Sequence, residues 1–301
     1  MILRDLSKEA LVRLLANEGL GLEVGCLAFE IRTVSAHISD QLALLYADYP
    51  LLQENAFHDF SVSLQPIRSG WSLSKRSIIF KQSGVRPFHP MPVAHAFPLL
   101  EWGLNWCVAT KMHCWVIVHA AVLERKGQAI VLPGLPGAGK STLCAVLAGR
   151  GWRLLSDEHA IFDPATTALI PAPRPISLKN ESIQIVGSIL PDAVISSSVY
   201  DTHKGIIAHM KPSADSVARA KEGAIPRWII FPSFERDGPT ELVGANKGET
   251  LVSLAENAFN YSLHGTQGFR LIGDVVEMSD TYRLMYGSVT AAADLIDELA
   301  E

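Results

Sequence analysis

The chain has 301 residues, enough for roughly two domains of ordinary size. Hydrophobic residues make up 48% of it, so it can bury a sizeable core and is not disordered as a whole. Lys and Arg number 26 against 31 Asp and Glu, net −5, which leaves no basic excess for holding nucleic acid or an anionic membrane surface.

No apolar run approaches the roughly 20 residues of a membrane helix, and Arg4, Asp5, Lys8 and Glu9 among the first leucines do not make a signal peptide. Cys26, Cys107, Cys114 and Cys144 form no CxxC pair and read as reduced thiols. The expectation is a cytoplasmic globular protein with neither a nucleic-acid nor a membrane partner.

In chain order, Leu11, Leu14 and Leu15 share one face of a helix over residues 8–18, with Gly19 as its stop. Ser39 or Asp40 can cap a second helix through Leu45 that Pro50 ends. Phe60, Val62 and Leu64 alternate with polar residues as in a half-buried strand, and Ser77–Lys81 predicts another. Residues 83–98, with four prolines, read as loop, and Leu99–Thr110 as a helix. Residues 1–110 are therefore expected to form an α+β module without a catalytic site. From Trp115 the texture changes. Val116–Glu124 and Ala129–Pro133 flank Arg125-Lys126-Gly127-Gln128 as a β-hairpin. A glycine-rich loop, a helix over Ser141–Ala148 and a strand over Trp152–Ser156 follow. Arg227–Phe231 and Tyr282–Tyr286 predict further strands, Glu249–Asn260 and Thr290–Ala300 helices. Strands alternating with helices over 111–301 indicate an α/β domain.

Gly134-Leu135-Pro136-Gly137-Ala138-Gly139-Lys140-Ser141 fits G-x-x-x-x-G-K-[ST] at every fixed position and runs on into Thr142. Glycines let successive amides curl around phosphate oxygens where a Cβ would intrude. Lys140 brings a positive charge to the β- and γ-phosphates, the Ser141 hydroxyl can ligate Mg²⁺, and the helix N-terminus adds its dipole. An apolar strand before the loop and a helix after it supply the context the pattern requires.

Asp157-Glu158 starts 17 residues after Lys140, at the end of the next predicted strand, on the sheet edge that carries the phosphate loop. Adjacent carboxylates there can divide two tasks: one accepts the proton of an attacking hydroxyl, the other helps hold Mg²⁺. His119, mid-strand before the loop, would come near a nucleotide if its strand paired in parallel with a neighbour; otherwise it is a core histidine. His113, Cys114 and His119 could bind a metal on residue type alone, without a standard zinc spacing. Arg174 and Lys179 in PAPRPISLK, and Lys204 beside His203, are cations that could steady a transferring phosphoryl group, or solvated surface.

At these residues a resemblance enters. The run from Val118 to Val186 looks like the catalytic core of the HPr kinase/phosphorylase superfamily, and the chain more closely resembles the HPr kinase-related kinase A group. The stretches that carry it are LEWGLNW (100–106), HAA (119–121), GWRLLSDE (151–158), PRPISLKN (173–180), HKG (203–205) and NAFNY (257–261). The resemblance implies a P-loop, HPr-kinase-like (PEP-carboxykinase-like) α/β core behind the N-terminal module. It also implies ATP- and Mg²⁺-dependent phosphorylation of a serine hydroxyl on a peptide or small carrier protein, and, since the parent enzymes assemble, a homo-oligomer. By position, Lys140 and Ser141 serve nucleotide and metal, Asp157 and Glu158 stand at the acidic pair that supplies base and metal ligand, and His119 stands at the histidine near the phosphates. The parent's second acid is Asp where Glu158 stands here, and its E-V-R-G signature, tied to phosphorolysis, is replaced by PRPISLKN. Two other functions use the same residues: phosphorylation of a small-molecule hydroxyl, and nucleotide sensing without turnover.

Overall fold

The computed structural model describes residues 1–68, 76–135 and 137–301, so Pro136 of the glycine-rich loop lies outside the described residues. Ser7 caps α1 (Lys8–Arg13) by accepting from the Ala10 amide. The helix widens into a π turn over 14–18 and stops at Gly19, whose φ of 93° favours glycine. Strands β1 (Leu20–Val24) and β2 (Leu27–Thr33) form an antiparallel hairpin. Helix α2 (Ala36–Leu45) begins behind Ser35 rather than at Ser39 or Asp40; Ser39 sits inside it and donates to the Ala36 carbonyl. β3 (Phe60–Arg68) runs parallel to β2, and β4 (Arg76–Gln82) and β5 (Met91–Pro92) complete a sheet in the order β1-β2-β3-β4-β5. The segment 83–98 is thus not all loop. Besides β5 it holds a 3-10 turn and the start of α3 (Ala96–Lys111), with Pro98 in the first helical turn, where a missing N–H breaks no intrahelical bond. α3 is buried along most of its length, Gly103 lying tight against the Phe80 ring. An apolar helix of this kind has to be covered on several sides.

The second part begins with the hairpin β6 (Val116–Arg125) and β7 (Gln128–Pro133), turned at Lys126 and Gly127, both with positive φ. Then come α4 (Lys140–Gly149), β8 (Arg153–Ser156), β9 (His159–Phe162), β10 (Leu169–Ile170), β11 (Ile176–Lys179) and α5 (Glu181–Ile189). β12 (Val199–Thr202), β13 (Gly205–Met210), α6 (Ala214–Ala218), β14 (Ile225–Phe234), β15 (Glu241–Gly244) and α7 (Lys247–Glu256) follow. α8 (Gly265–Met278), β16 (Asp280–Tyr286) and α9 (Val289–Leu299) end the chain. The large sheet has the order β10-β9-β6-β7-β14-β16-β15, with β8 also on β6; β7, β14 and β16 run parallel. A small antiparallel sheet, β11-β13-β12, stands beside it.

Alternation along β6 separates two cores. Ala121 and Leu123 pack with α4 and α9, whereas Val116, Val118, Ala120 and Val122 pack with α7 and α8. The protein is a mixed α/β structure with helices on both faces of its large sheet. A third cluster joins the N-terminal sheet and α3 to Ile117 and Ile161 at the near ends of β6 and β9. Among the described residues no helix is long and apolar enough to cross a membrane.

Candidate functional site

The glycine-rich loop leaves the C-terminal end of β7 and enters α4. Gly134, Gly137 and Gly139 all have positive φ, at 148°, 91° and 88°. Gly139 is the constrained one, because a Cβ there would run into the Tyr286 hydroxyl. That hydroxyl donates to the Gly139 carbonyl at 3.0 Å, and the Phe234 amide donates to the Ala138 carbonyl at 3.2 Å. The ends of β16 and β14 therefore brace the loop, with the two rings edge to face at 5.6 Å. Lys140 folds back and donates to the carbonyls of Gly134 (2.6 Å) and Leu135 (3.3 Å). Burial pushes its ammonium down, and the nearby charges of Glu158 and Asp157 pull it back up. Ser141 and Thr142 follow in the first turn of α4.

The acid pair is held differently from a loop. Ser156 lies opposite Val122 and His159 opposite His119, three residues apart on each strand, so β8 and β9 are one strand along β6 with a two-residue break. Asp157 and Glu158 fill the break. Ser156 shapes it, its hydroxyl accepting the amides of Glu158 (3.3 Å) and His159 (3.0 Å) that the interrupted ladder leaves over. Asp157 is 5% exposed. Its Oδ2 accepts the Ser177 amide at 3.0 Å, whereas its Oδ1 is buried with no hydrogen-bond partner among the described residues. Burial, and after it the charge of Glu158, push Asp157 up to about 6, against the Ser177 amide, Lys179 and the Ser141 hydroxyl. Glu158 goes the other way. Burial alone would raise it, but the hydrogen bond from His119 (3.1 Å) and the charges of Lys179, His119 and His159 hold it far below the usual carboxylate range.

His119 reaches this place through antiparallel partners: β6 runs antiparallel to β7, β8 and β9, not parallel to any of them. Beyond Pro133, where β7 ends, residues 257–260 take over its edge of β6. The His119 amide donates to the Asn257 carbonyl, the Phe259 amide to the Ile117 carbonyl, and Asn260 accepts the Ile117 amide. This is why α7 ends at Glu256 and not at Asn260. It also sets the Phe259 ring against His119 and His159, at 5.9 and 5.6 Å.

The expected cations all reach the neighbourhood of the acid pair, in different states. Lys179 on β11 acts on both acids electrostatically. Lys204, in the β12–β13 turn, lies 5.3 Å over the Trp102 ring of α3, beside His203 at 4.5 Å from the same ring. Among the described residues neither lysine is in an ion pair. Arg174 is buried, its guanidinium donating to Glu101 Oε2 (3.4 Å) and Asn105 Oδ1 of α3, while Glu101 also accepts from Tyr46 (2.7 Å). It ties the N-terminal part to the edge of the site.

This arrangement can cradle a phosphate chain on the loop amides and Lys140, and it keeps one ionised and one easily protonated carboxylate beside it. Ser156, Ser177, Phe234, Tyr286 and Asn257–Asn260 were not expected from sequence. Three motifs of the resemblance run through some of them: GWRLLSDE through Ser156, PRPISLKN through Ser177 and NAFNY through 257–260. Among the described residues no three His, Cys, Asp or Glu side chains group as metal ligands, so His113, Cys114 and His119 do not form a metal cluster. Compared with protein-family models and with curated proteins, the chain matches none.

Proposed function

We propose that this chain is a kinase that uses ATP and Mg²⁺ to phosphorylate a serine hydroxyl of a peptide or small protein, on a P-loop core of the HPr-kinase-like type. The observation that carries the reading is the contrast within the acid pair beside Lys140: Glu158 is held ionised by His119, while Asp157 keeps one buried oxygen free. The open space beside Gly137, where a Cβ would meet nothing within 4 Å, and a Lys140 ammonium that donates only to backbone carbonyls are features the phosphates of an Mg²⁺–nucleotide would satisfy. Ser141 and Glu158 would hold the metal, which when bound neutralises charge on the β- and γ-phosphate oxygens. Lys140 leaves the Gly134 and Leu135 carbonyls to meet the phosphates. Asp157 takes the proton of the attacking hydroxyl, Lys179 and Lys204 face the charge spread over the transferring group, and ADP leaves from the loop.

The test is γ-labelled ATP with Mg²⁺ and a pool of candidate peptides, read by mass spectrometry. Label on a serine peptide with the wild type, reduced at least about 100-fold by Lys140→Ala, is the expected result. Tight ATP binding with no transfer to any acceptor would replace the kinase by a nucleotide sensor. A second expectation concerns pH. Asp157 accepts a proton only when ionised, so kcat/KM should climb as pH rises through about 6 and fall below it. A profile flat from pH 5 to 8 removes Asp157 from the base role.

A further inference from the structure

Between α3 and the acid pair lies a small cavity whose walls include Asp157, Ser177, His209, Arg174, Trp102 and Asn105. Its free space is about 10 Å³, what a single oxygen-sized group occupies. Three of its lining residues carry a buried polar atom without a hydrogen-bond partner among the described residues: Asp157 Oδ1, Ser177 Oγ and His209 Nε2. His209 is 2% exposed and Asp157 5%. Ser177 and His209 are cross-strand partners on β11 and β13, so their side chains share the face that looks toward α3, where the Phe97 ring sits 5.2 Å from His209. Three orphans around one cavity are uncommon in a folded core, where buried polar atoms are almost always paired, and together they form a seat for one hydrogen-bonding oxygen, a water's or a hydroxyl's.

The donor set identifies the ligand. Burial, with Lys179 and Arg174 nearby, drives His209 down to about 3, so its ring is neutral and offers one N–H. A carboxylate oxygen only accepts, while a serine hydroxyl and the Nε2–H tautomer of imidazole each donate. A hydroxyl oxygen gives one hydrogen and takes two, which satisfies all three atoms at once.

We propose that Asp157 Oδ1, Ser177 Oγ and His209 Nε2 are the seat of the acceptor's hydroxyl, with Trp102 and Asn105 of α3 as its outer wall. This rests on the kinase reading above and adds where the acceptor sits. The base's one free oxygen looks for its proton there, and the N-terminal part of the chain supplies a wall of the substrate site. The free space matches the hydroxyl oxygen itself and has no room for a phenolic ring. In the transfer, the Ser177 and His209 hydrogen bonds hold the oxygen while its proton passes to Asp157 Oδ1, its new bond forms to the γ-phosphorus, and the bond to the β,γ-bridging oxygen breaks with ADP as leaving group.

The experiment uses the full chain with Mg²⁺–ATP and ethanediol as probe acceptor, water competing, with phosphoethanediol and phosphate resolved by ³¹P NMR. Ser177→Ala and His209→Leu are expected to lower kcat/KM for whichever oxygen the wild type phosphorylates by about tenfold or more, the effect of one lost hydrogen bond in a dry site. The Kd for Mg²⁺–ATP should stay within about twofold, a split that a merely structural fault would not produce. Ser177→Ala alone carries the test if His209→Leu fails to fold. Variants that bind ATP and transfer like the wild type overturn the seat and leave the kinase standing. A wild type that transfers to no acceptor at all, neither ethanediol nor water nor any peptide of the pool, overturns the kinase, and the seat with it.

Discussion

Asp157→Asn should abolish phosphoryl transfer, by at least about 100-fold, and at the same time raise the melting temperature by a few degrees. Both follow from one placement. The carboxylate is buried, beside Glu158, with one oxygen unpartnered, and its folded-state value of about 6 lies above the usual 3.8. A raised value means that the fold prefers the protonated form, so above pH 6 the ionised group costs about 2–3 kcal/mol and the cost fades as pH falls toward 4. Asparagine is neutral at every pH and keeps an acceptor for the Ser177 amide. Thermal unfolding of both proteins at pH 8 and at pH 4.5 checks this: the gap should be wide at the higher pH and narrow at the lower. A variant that melts several degrees below wild type at pH 8 would make Asp157 a structural residue. Glu158, whose value is lowered, predicts the reverse: Glu158→Gln forfeits the His119 pair and should destabilise at neutral pH.

The largest loss of stability is expected away from the site, from Arg153→Met. Arg153 and Glu124 are 4% and 2% exposed and form a buried ion pair between β8 and β6. Arg153 also donates to the carbonyls of Arg219 and Glu222, both at 2.9 Å, and Glu124 accepts the Gly127 amide of the β6–β7 turn. Methionine fills much of the volume but strips a buried carboxylate of its nearest cation, leaving it the Gly127 amide and the Arg219 guanidinium at 3.8 Å, and leaves two carbonyls without their donor, a cost of about 3 kcal/mol. Urea unfolding should show that drop with an unchanged m-value. Adding Glu124→Leu should return part of it, because the pair's value lies largely in not being half removed. If the single variant costs less than about 1 kcal/mol, water reaches this pair.

The sequence made the neighbourhood of the phosphate loop legible because its determinants are local. Lys126 and Gly127 accept the positive φ that a tight hairpin needs, and the glycine pattern between an apolar strand and α4 has few other solutions. Other elements were equally written but poorly read. Leu20, Leu22 and Val24, then Leu27, Phe29 and Ile31, alternate as cleanly as any strands, though Gly19, Gly21 and Gly25 thin the side-chain pattern around them. The remainder could not be local. Residues 257–260 leave the helical pattern because β6 has an open edge beyond Pro133, some 140 residues earlier. Arg174 meets Glu101 across 73 positions, and Trp102 meets Lys204 only once α3 and the β12–β13 hairpin are both in place. What Lys140, Asp157 and Glu158 can do was legible as residue types; the orphaned oxygen of Asp157, and the opposite displacement of the two acids, come from burial that no window of sequence contains.

The two-residue break between β8 and β9 has a mechanical side. Asp157 and Glu158 are clamped before and behind by rungs of the same strand pair, so neither can swing the way a loop carboxylate does, and one residue inserted between Ser156 and His159 would throw one flank out of step with β6. The broken strand is thus an anvil. Whatever yields to let a bulky partner in and out must belong to the opposite jaw, where Trp102 meets the hairpin turn bearing His203 and Lys204 through ring faces rather than rungs. Drift in partner choice among sequences of this design should therefore gather in that jaw and spare the anvil.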